Sequence, residues 1–512
     1  MTKSIKIIVF LMALAAYSTT AWADRYICSK TDLIKFAHDS GTNSFEGETI
    51  YLTCDITLTL DWSPIGKATS PFKGRFEGWG HTISGLTINN DNYYQGLFGY
   101  IDGGSVSDVK VIGSIKNCRN YVGGICGYLK RGEIKGCYNE ATVSGVSYVG
   151  GICGYTEGII TSCINTGNIT STKTTGGEEI FIGGIVGYAT NENTSCYVRH
   201  CYTTGVVTIP SNTFSYYGAI AGWINIEDII FKCVYDSDKA KIHFADTNTD
   251  LVDESIAIGG DKNNGPSNNY WVFGATTTEM KTKSFWTDGK LLSDYVAPDV
   301  TGQLWVYPES QNADVLTDYP QLRAFDAKNK PITFEFTSEK PWKTIVPNGN
   351  YGVPAGMTAY KVASVDAASG TVTLHAVSNM YEGRGYLVYG TSTVTATSNS
   401  DTADYTEEWL LKGSPTSHEV LMGDGTEYIL SDGAFWRAKS GSLGYGKAYL
   451  KLSNALTART LSIGFDTDET TAIQQIDQHK PTDAVRYDLN GRRATEATHG
   501  IIIENGKKIL KR

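Results

Sequence analysis

Gly-Ile-Cys-Gly-Tyr at residues 124–128 decides the fold, because the chain carries four further versions of it. They are Gly-Leu-Phe-Gly-Tyr at 96–100, Gly-Ile-Cys-Gly-Tyr at 151–155, Gly-Ile-Val-Gly-Tyr at 184–188 and Ala-Ile-Ala-Gly-Trp at 219–223. Their starts lie 28, 27, 33 and 35 residues apart, a period typical of repeat proteins. A unit of this size cannot bury its apolar face alone, so successive units must stack on one continuous core.

Stacking would align equivalent residues of successive units in columns about 4.8 Å apart. A second repeated signal supplies further cysteines, as in Ile-Lys-Gly-Cys-Tyr-Asn at 134–139. Cysteines at such positions behave as small buried hydrophobes, so we expect core ladders. Their members are Cys126 and Cys153 in one column and Cys137, Cys163, Cys201 and Cys233 in the other.

The last residue of each repeat copy is aromatic and forms a column of its own: Tyr100, Tyr128, Tyr155, Tyr188 and Trp223. If these side chains face outward, they form a contact surface for glycans or proteins, since aromatic rings combine area with a polar handle. If they face inward, they are ordinary stacked core residues. The sequence leaves both readings open.

The repeat pattern resembles the GLUG repeat, which occurs in bacterial cell-surface proteins and in IgA-specific metallopeptidases. The segment 71–88, Pro-Phe-Lys-Gly-Arg-Phe-Glu-Gly-Trp-Gly-His-Thr-Ile-Ser-Gly-Leu-Thr-Ile, is similar to the lead-in of such repeat arrays. The resemblance covers roughly residues 24–325 and implies a right-handed parallel β-helix, or solenoid. The metallopeptidase activity does not carry over, because no His-Glu-x-x-His motif is present.

Composition agrees with an all-β protein. The 512 residues include 55 glycines and 31 tyrosines but only 13 prolines, which favours many turns between strands. The formal net charge is −10, which argues against nucleic acid and anionic membranes as partners.

Residues 1–23 have the pattern of a secretory signal: two lysines, a short apolar run, and Ala-Trp-Ala before Asp24. We therefore expect an extracellular protein, secreted or held at the outer-membrane surface, without a transmembrane span in the mature chain. Residues 24–90 are expected to hold an N-terminal cap, including a helix from Lys30, and the first turns. Residues 91–325 would hold the repeats and closing turns near 278–286 and 303–307.

The repeat ends before residue 330, and strands with hairpin-like alternation follow over 330–466. This pattern predicts an antiparallel β-sandwich-like domain, followed by a polar linker over 467–483. Residues 484–512 predict a small C-terminal β domain that begins Val-Arg-Tyr-Asp-Leu-Asn-Gly-Arg-Arg. This segment resembles the C-terminal sorting domain of type IX secretion cargo, which implies contact with an export machinery.

No catalytic constellation, metal motif or cofactor motif stands out, so we expect no metal and no cofactor. Cys28 and Cys54 bracket the predicted cap helix and form a candidate disulfide. The leading hypothesis is a non-catalytic binding or adhesion protein that uses the β-helix as an extended surface for glycans or extracellular proteins. Two alternatives stay open: a polysaccharide-active β-helix enzyme, lyase or glycoside hydrolase, and a passive surface stalk. The enzyme would need two carboxylates about 5–9.5 Å apart in an accessible groove.

Overall fold

The computed structural model describes residues 24–173, 179–191, 196–210, 215–225, 229–251, 257–260, 271–288, 291, 305–308, 310, 314–326, 328–401, 403–405, 407–416, 419–431, 433–444, 446–465, 486–488, 500–504 and 507–511. The fold class is all-β, as predicted. The signal segment 1–23 and the linker 467–483 lie outside the described residues. No helix in the described ranges is long and apolar enough to cross a membrane.

The N-terminal half forms one 23-stranded sheet, which we call the repeat ladder. Its strands are β1 (Arg25–Ile27), β2 (Thr49–Leu52), β3 (Ile56–Thr57), β4 (Arg75–Asn89), β5 (Phe98–Gly123), β6 (Cys126–Lys135), β7 (Tyr138–Asn139), β8 (Thr142–Gly150), β9 (Cys153–Thr156), β10 (Ile159–Thr161), β11 (Ile164–Asn165), β12 (Ile169–Ser171), β13 (Ile180–Gly183), β14 (Val186–Ala189), β15 (Tyr197–Arg199), β16 (Tyr202–Thr203), β17 (Val207–Ile209), β18 (Ser215–Gly218), β19 (Ala221–Ile224), β20 (Ile230–Asp236), β21 (Ile242–Phe244), β22 (Thr249–Asp250) and β23 (Trp271–Ala275).

Pairing in the repeat ladder is parallel between successive repeats, apart from the hairpin β21–β22. The register places Cys126 between Phe98 and Cys153, and Val186 between Cys153 and Ala221. Each repeat therefore forms one rung, and equivalent residues of neighbouring rungs are hydrogen-bonded neighbours.

The cysteines of both predicted core ladders are buried in one continuous apolar core: Cys126, Cys153, Cys137, Cys163, Cys201 and Cys233. Burial raises the pKa of the Cys126 and Cys163 thiols well above the usual value, so these groups stay protonated and unreactive. At the N-terminal edge, helix α1 (Lys30–Asp39) is capped by the Ser29 hydroxyl, which accepts a hydrogen bond from the Asp32 amide. Leu33 and Phe36 of this helix pack on the first rungs.

The segment after β23 differs from the predicted closing turns. Helices α2 (Thr277–Met280), α3 (Lys283–Asp288) and α4 (Arg323–Asp326) and the hairpin β24 (Trp305–Val306) with β25 (Gln321–Leu322) pack along the outside of the repeat ladder. They cover outward apolar residues of successive rungs, Ile164, Tyr202 and Val234. These elements pack there because covering an exposed stripe of apolar side chains removes it from water, which is favourable.

A second core belongs to the C-terminal domain. Its strands are β26 (Ile332–Phe334), β27 (Trp342–Ile345), β28 (Tyr351–Gly352), β29 (Met357–Asp366), β30 (Thr371–Val377), β31 (Asn379–Met380), β32 (Tyr386–Gly390), β33 (Val394–Ala396), β34 (Leu411–Lys412), β35 (Glu419–Leu421), β36 (Glu427–Ser431), β37 (Ala434–Arg437), β38 (Gly441–Leu443), β39 (Tyr449–Lys451) and β40 (Thr460–Phe465).

Nine of these strands form one sheet, in the order β27-β32-β29-β30-β40-β37-β36-β39-β34. The antiparallel β-sandwich-like domain predicted over 330–466 needs one correction: β30 and β40 pair in parallel and join two antiparallel groups into a single sheet. The last strand returns to the middle of the sheet in the same direction as β30. Residues 484–512 contribute a separate three-stranded antiparallel sheet of β41 (Arg486–Asp488), β42 (Gly500–Glu504) and β43 (Lys507–Lys511).

Candidate binding surface

The five aromatic residues singled out in the sequence form a column along one side of the repeat ladder. Parallel register places Tyr100, Tyr128, Tyr155 and Tyr188 on successive rungs and Trp223 on the next. The rings of the four tyrosines stack face to face, with centroids 4.7, 4.6 and 4.9 Å apart and interplanar angles of 13° or less. All five side chains are half-buried, so the column lies at the surface and not in the core.

A second column, which the sequence analysis missed, runs beside the first. It consists of Tyr94, Tyr121, Tyr148, Phe181 and Tyr216, with neighbouring centroids 4.8–5.4 Å apart. The signal was present in the sequence: each ring precedes its partner in the first column by six residues in the first pair and by seven in the other four. We call the ten rings together the aromatic ladder.

The two columns interlock through edge-to-face contacts. Tyr121 meets Tyr128 at 5.6 Å and 62°, and Phe181 meets Tyr188 at 5.1 Å and 88°. Both stacked and T-shaped geometries are favourable for aromatic quadrupoles, at about 0.5–1.5 kcal/mol per pair beyond area burial. The aromatic ladder therefore stabilises the rung stack while its edges reach the surface.

The backbone conformation helps to direct the rings of the second column outward. Tyr94, Tyr121 and Tyr148 have φ values of 58°, 65° and 53°, in the left-handed region that non-glycine residues seldom adopt. The conformation recurs on three successive rungs, so the fold holds it in place against its cost. It turns the chain sharply just before the Gly-rich motif and carries the ring to the outside.

Stacking determines which parts of the rings a partner reaches. Inside a column both faces of each ring are covered by its neighbours, so a partner can reach a ring only at its edge. Burial raises the pKa of Tyr100 and of Tyr121 to about 12, and these hydroxyls are therefore protonated at neutral pH. The Tyr128 hydroxyl donates to Glu157 Oε1 at 2.5 Å.

The two ends of the aromatic ladder differ. At the C-terminal end, Gly260 lies flat against both Tyr216 and Trp223: a Cβ there would sit 2.7 and 2.8 Å from their rings. At the N-terminal end, a cleft of about 470 Å³ opens beside Tyr94. We call it the end cleft, lined by Asp61, Trp62, Ser63, Pro64, Gly66, Lys67, Ala68, Asn90, Asn92, Tyr93, Tyr94 and Gln95.

A buried charged cluster joins the repeat ladder to the C-terminal domain, and sequence reasoning missed it. His81 Nδ1 lies 3.0 Å from Asp55 Oδ1, and His81 Nε2 lies 2.9 Å from Glu382 Oε2. Lys328 Nζ donates to Glu382 Oε1 at 2.6 Å. Burial alone raises the pKa of Glu382, but Lys328 and His81 outweigh it and hold that pKa below its usual value. Glu382 is 301 residues from His81, so no local pattern could reveal the contact.

Glu77 and Asp108 form a second buried carboxylate site at the same junction, with 3% and 2% of their surface exposed. Glu77 accepts hydrogen bonds from Arg75 and, at 2.8 Å, from the Ser107 hydroxyl. Burial, reinforced by the charge of Glu77, raises the pKa of Asp108 to about 7. Asp108 lies beside Thr416 of the C-terminal domain, and both carboxylates are closed off from solvent.

The structure brings Cys28 and Cys54 together as free thiols. The Cys54 thiol donates to the Cys28 carbonyl oxygen at 2.6 Å, and burial raises the pKa of Cys54. A disulfide between them stays a prediction. Across the described ranges no group of three or more His, Cys, Asp or Glu residues is placed to hold a metal ion.

Comparison with known proteins gives little. No protein-family model matches the chain, and no curated protein sequence matches it. One solved structure, the "putative immunoglobulin A1 protease" of Bacteroides ovatus, is similar over 60% of this chain and 94% of its own, at 18% sequence identity and a TM-score of 0.37. A likeness at this level carries no argument about fold or activity.

Proposed function

We propose that this chain is a non-catalytic, secreted or cell-surface binding protein whose repeat ladder is a right-handed parallel β-helix of GLUG-type repeats. Its aromatic ladder is the contact surface for a glycan or an extracellular protein. The observation that carries the proposal is a pair of interlocked ring columns that follows five successive rungs at the surface. Parallel pairing of equivalent residues in successive repeats supports the β-helix.

The composition of this surface suits recognition. Tyrosine offers a large, rigid contact area at low entropic cost, and its hydroxyl is a polar group at the rim. Charged pairs flank the rings: Arg119 binds Asp91 through two hydrogen bonds of 2.9 and 2.8 Å, and Arg131 binds Asp102 at 2.5 Å. An apolar centre inside a polar rim is the usual anatomy of a binding interface.

The enzyme alternative is less well supported. A polysaccharide-cleaving site needs two carboxylates in an accessible groove, with room for the substrate. Asp108 has the raised pKa of a catalytic acid, but Asp108 and its neighbour Glu77 are both buried and closed off from solvent. Asp250 pairs instead with His243, at 2.9 Å, in an exposed hairpin.

The binding proposal is tested on glycan and extracellular-matrix arrays with the mature chain, residues 24–512. The test variant replaces Tyr100, Tyr128, Tyr155 and Tyr188 with Phe, which removes four hydroxyls and keeps the stacked rings. The control replaces Tyr197 and Tyr389 with Phe, away from the aromatic ladder. We expect array binding that falls in the test variant alone.

Three results would contradict the proposal. Cleavage of a glycan or peptide by the purified chain would establish an enzyme. Binding that survives removal of the repeat ladder but not of residues 330–466 would make the ladder a stalk. Binding of equal strength in the test and control variants would remove the aromatic ladder from the interface.

We further propose that residues 1–23 direct export and that residues 484–512 engage a type IX-like sorting machinery. The support is the signal pattern and the resemblance of the C-terminal segment to sorting domains. Deletion of 484–512 should leave the chain inside the outer membrane of a host with that machinery, whereas secretion at the wild-type level would refute the sorting role.

A further inference from the structure

We propose that the end cleft is a binding site for one neutral pyranose ring, which stacks on Tyr94 and extends the aromatic ladder by one position. The inference rests on the proposed binding function and names its ligand class. It begins with the position of Tyr94, whose ring stacks on Tyr121 at 5.0 Å and 8°. Its opposite face points away from Tyr121, toward the rung where the cleft lies.

The preceding rung has no ring at either column position. Ile65 pairs with Phe98 and Phe72 pairs with Ile101, so residues 66–71, which include Lys67, loop out where the next rung has only Gly99 and Tyr100. Asp61 pairs with Thr87, so only residues 62–64 separate it from Ile65, where the next rung has residues 88–97, including Tyr94. Lys67 and Asp61 both line the cleft, and the column ends there in open space.

The walls of the cleft are held in place by the fold. Trp62 is buried, and its Nε1 donates to the Leu97 carbonyl oxygen at 3.0 Å. Gln95 Nε2 donates to the Tyr93 carbonyl oxygen at 2.7 Å, and the Asn90 side chain accepts from the Asn92 amide at 3.1 Å. A site held this way loses little entropy when it binds a ligand.

Three polar side chains at the cleft are free to bind. Within the described part of the chain, the side chains of Asp61, Lys67 and Asn92 have no hydrogen-bond or ion-pair partner. Together they offer a carboxylate acceptor, an ammonium donor and an amide that does both. Their formal charges cancel, which favours an uncharged ligand over an anion or a cation.

A pyranose ring meets these requirements together. One face of the ring carries C–H groups that pack on an aromatic face, and its rim carries hydroxyls that donate and accept. A purely apolar ring would leave the polar side chains unpaired on burial, which is unfavourable. The volume, about 470 Å³, lies within the roughly 300–1,000 Å³ of small-ligand sites.

The test uses the mature chain and three probes: the methyl hexopyranosides of glucose, galactose and mannose. Saturation-transfer NMR and titration should show millimolar binding of at least one probe. Tyr94→Ala should weaken it about tenfold, a loss of about 1.4 kcal/mol. Tyr94→Phe, which keeps the stacking face, should stay within about twofold of wild type.

The matched control is Tyr197→Ala, which removes an exposed tyrosine of the repeat ladder that belongs to neither ring column and should leave probe binding unchanged. Asp61→Asn and Asn92→Ala alter exposed side chains without touching the ring stack and should each weaken binding. They keep the test decisive if Tyr94→Ala fails to fold.

Absence of transfer to all three probes would overturn the inference, as would undiminished binding in Asp61→Asn and Asn92→Ala. Loss of array binding in the four-fold Tyr→Phe variant, with no hexoside bound, would refute the cleft while the proposed function stands. Hexoside binding that depends on Tyr94, without array binding at the aromatic ladder, would support the cleft and refute the aromatic ladder as the contact surface.

Discussion

The repeat ladder and the C-terminal domain are both built from strands, but different contacts hold them together. In the repeat ladder a strand pairs with the next copy of itself, as Cys126 pairs with Cys153. In the C-terminal domain the two antiparallel strand groups join where Thr371 pairs with Ser462, 91 residues further along the chain. The first region repeats one pattern of strand pairing several times, whereas the second forms one sheet that depends on distant segments. The junction between them is charged and buried.

The largest effect is expected where rung packing is tightest. A Cβ on Gly154 would lie 2.5 Å from the Tyr148 carbonyl oxygen and 2.7 Å from that of Gly127, both backbone atoms that cannot move aside. Gly154→Ala should therefore lower the free energy of unfolding by about 4 kcal/mol or more. The matched change in the C-terminal domain, Gly352→Ala, meets nothing closer than 3.8 Å and should be nearly neutral. Thermal and urea unfolding of both variants checks the contrast; equal losses would contradict it.

The next effect tests the junction. Glu382→Ala leaves the Lys328 ammonium buried without its carboxylate, and breaking a buried ion pair in this way costs about 3 kcal/mol or more. The control is Glu46→Ala, which breaks the 3.1 Å contact with Lys73 at a carboxylate that is mostly exposed. It should cost less than about 1 kcal/mol. Urea unfolding followed by tryptophan fluorescence measures both, and a small effect of Glu382→Ala would mean that the junction adds little to stability.

A smaller effect concerns pH. The pKa of Asp108 is raised to about 7 by burial, so the folded chain keeps a proton that the unfolded chain releases near pH 4. The stabilisation from this group is complete below pH 4 and is lost as the pH rises to 7, by on the order of a few kcal/mol. Asp108→Asn should remove this contribution to the dependence of the free energy of unfolding on pH.

The control for the pH experiment is a carboxyl group whose pKa is shifted in the opposite direction. The Arg131 guanidinium lowers the pKa of Asp102, so its contribution is present above the unfolded pKa and is lost as the pH falls. Asp102→Asn should therefore flatten the acidic side of the stability curve. Unfolding curves between pH 3 and 8 separate the two, and an unchanged slope in Asp108→Asn would show that Asp108 titrates normally.

The smallest effect lies in the aromatic ladder. Tyr155 stacks on Tyr128 and Tyr188, and Tyr155→Leu should cost about 1 kcal/mol from the lost ring contacts. Tyr197, an exposed residue of the same repeat ladder, makes no ring contact within the described ranges, so Tyr197→Leu should change stability by less than about 0.5 kcal/mol. Equal losses in thermal unfolding would mean that stacking itself contributes nothing.

The same contrast explains what the sequence could predict. In the repeat ladder, recurrence fixed the column of Tyr128 and the cysteine positions, because every rung repeats the same local environment. The second column is harder to recognise in the sequence, because Phe181 and the variable lead-in residues obscure the seven-residue spacing. In the C-terminal domain local alternation predicted strands over 330–466, and Thr371–Val377 is one that the structure contains.

The parallel return of β40, the outer packing of Trp286 and the contact of His81 with Glu382 could not be predicted. Each depends on residues that are far apart in the chain and carry no pattern of their own. The end cleft was missed for a related reason, since it exists only where the column of rings stops.

The charged junction also sets an order of assembly. His81 belongs to the first rungs, yet its buried partner Glu382 lies 301 residues later in the chain. A nascent chain can stack its early rungs, but their charged edge stays solvated until the distant partner arrives. The N-terminal rungs are therefore synthesised early, but their charged edge is completed only when the segment that carries Glu382 has folded.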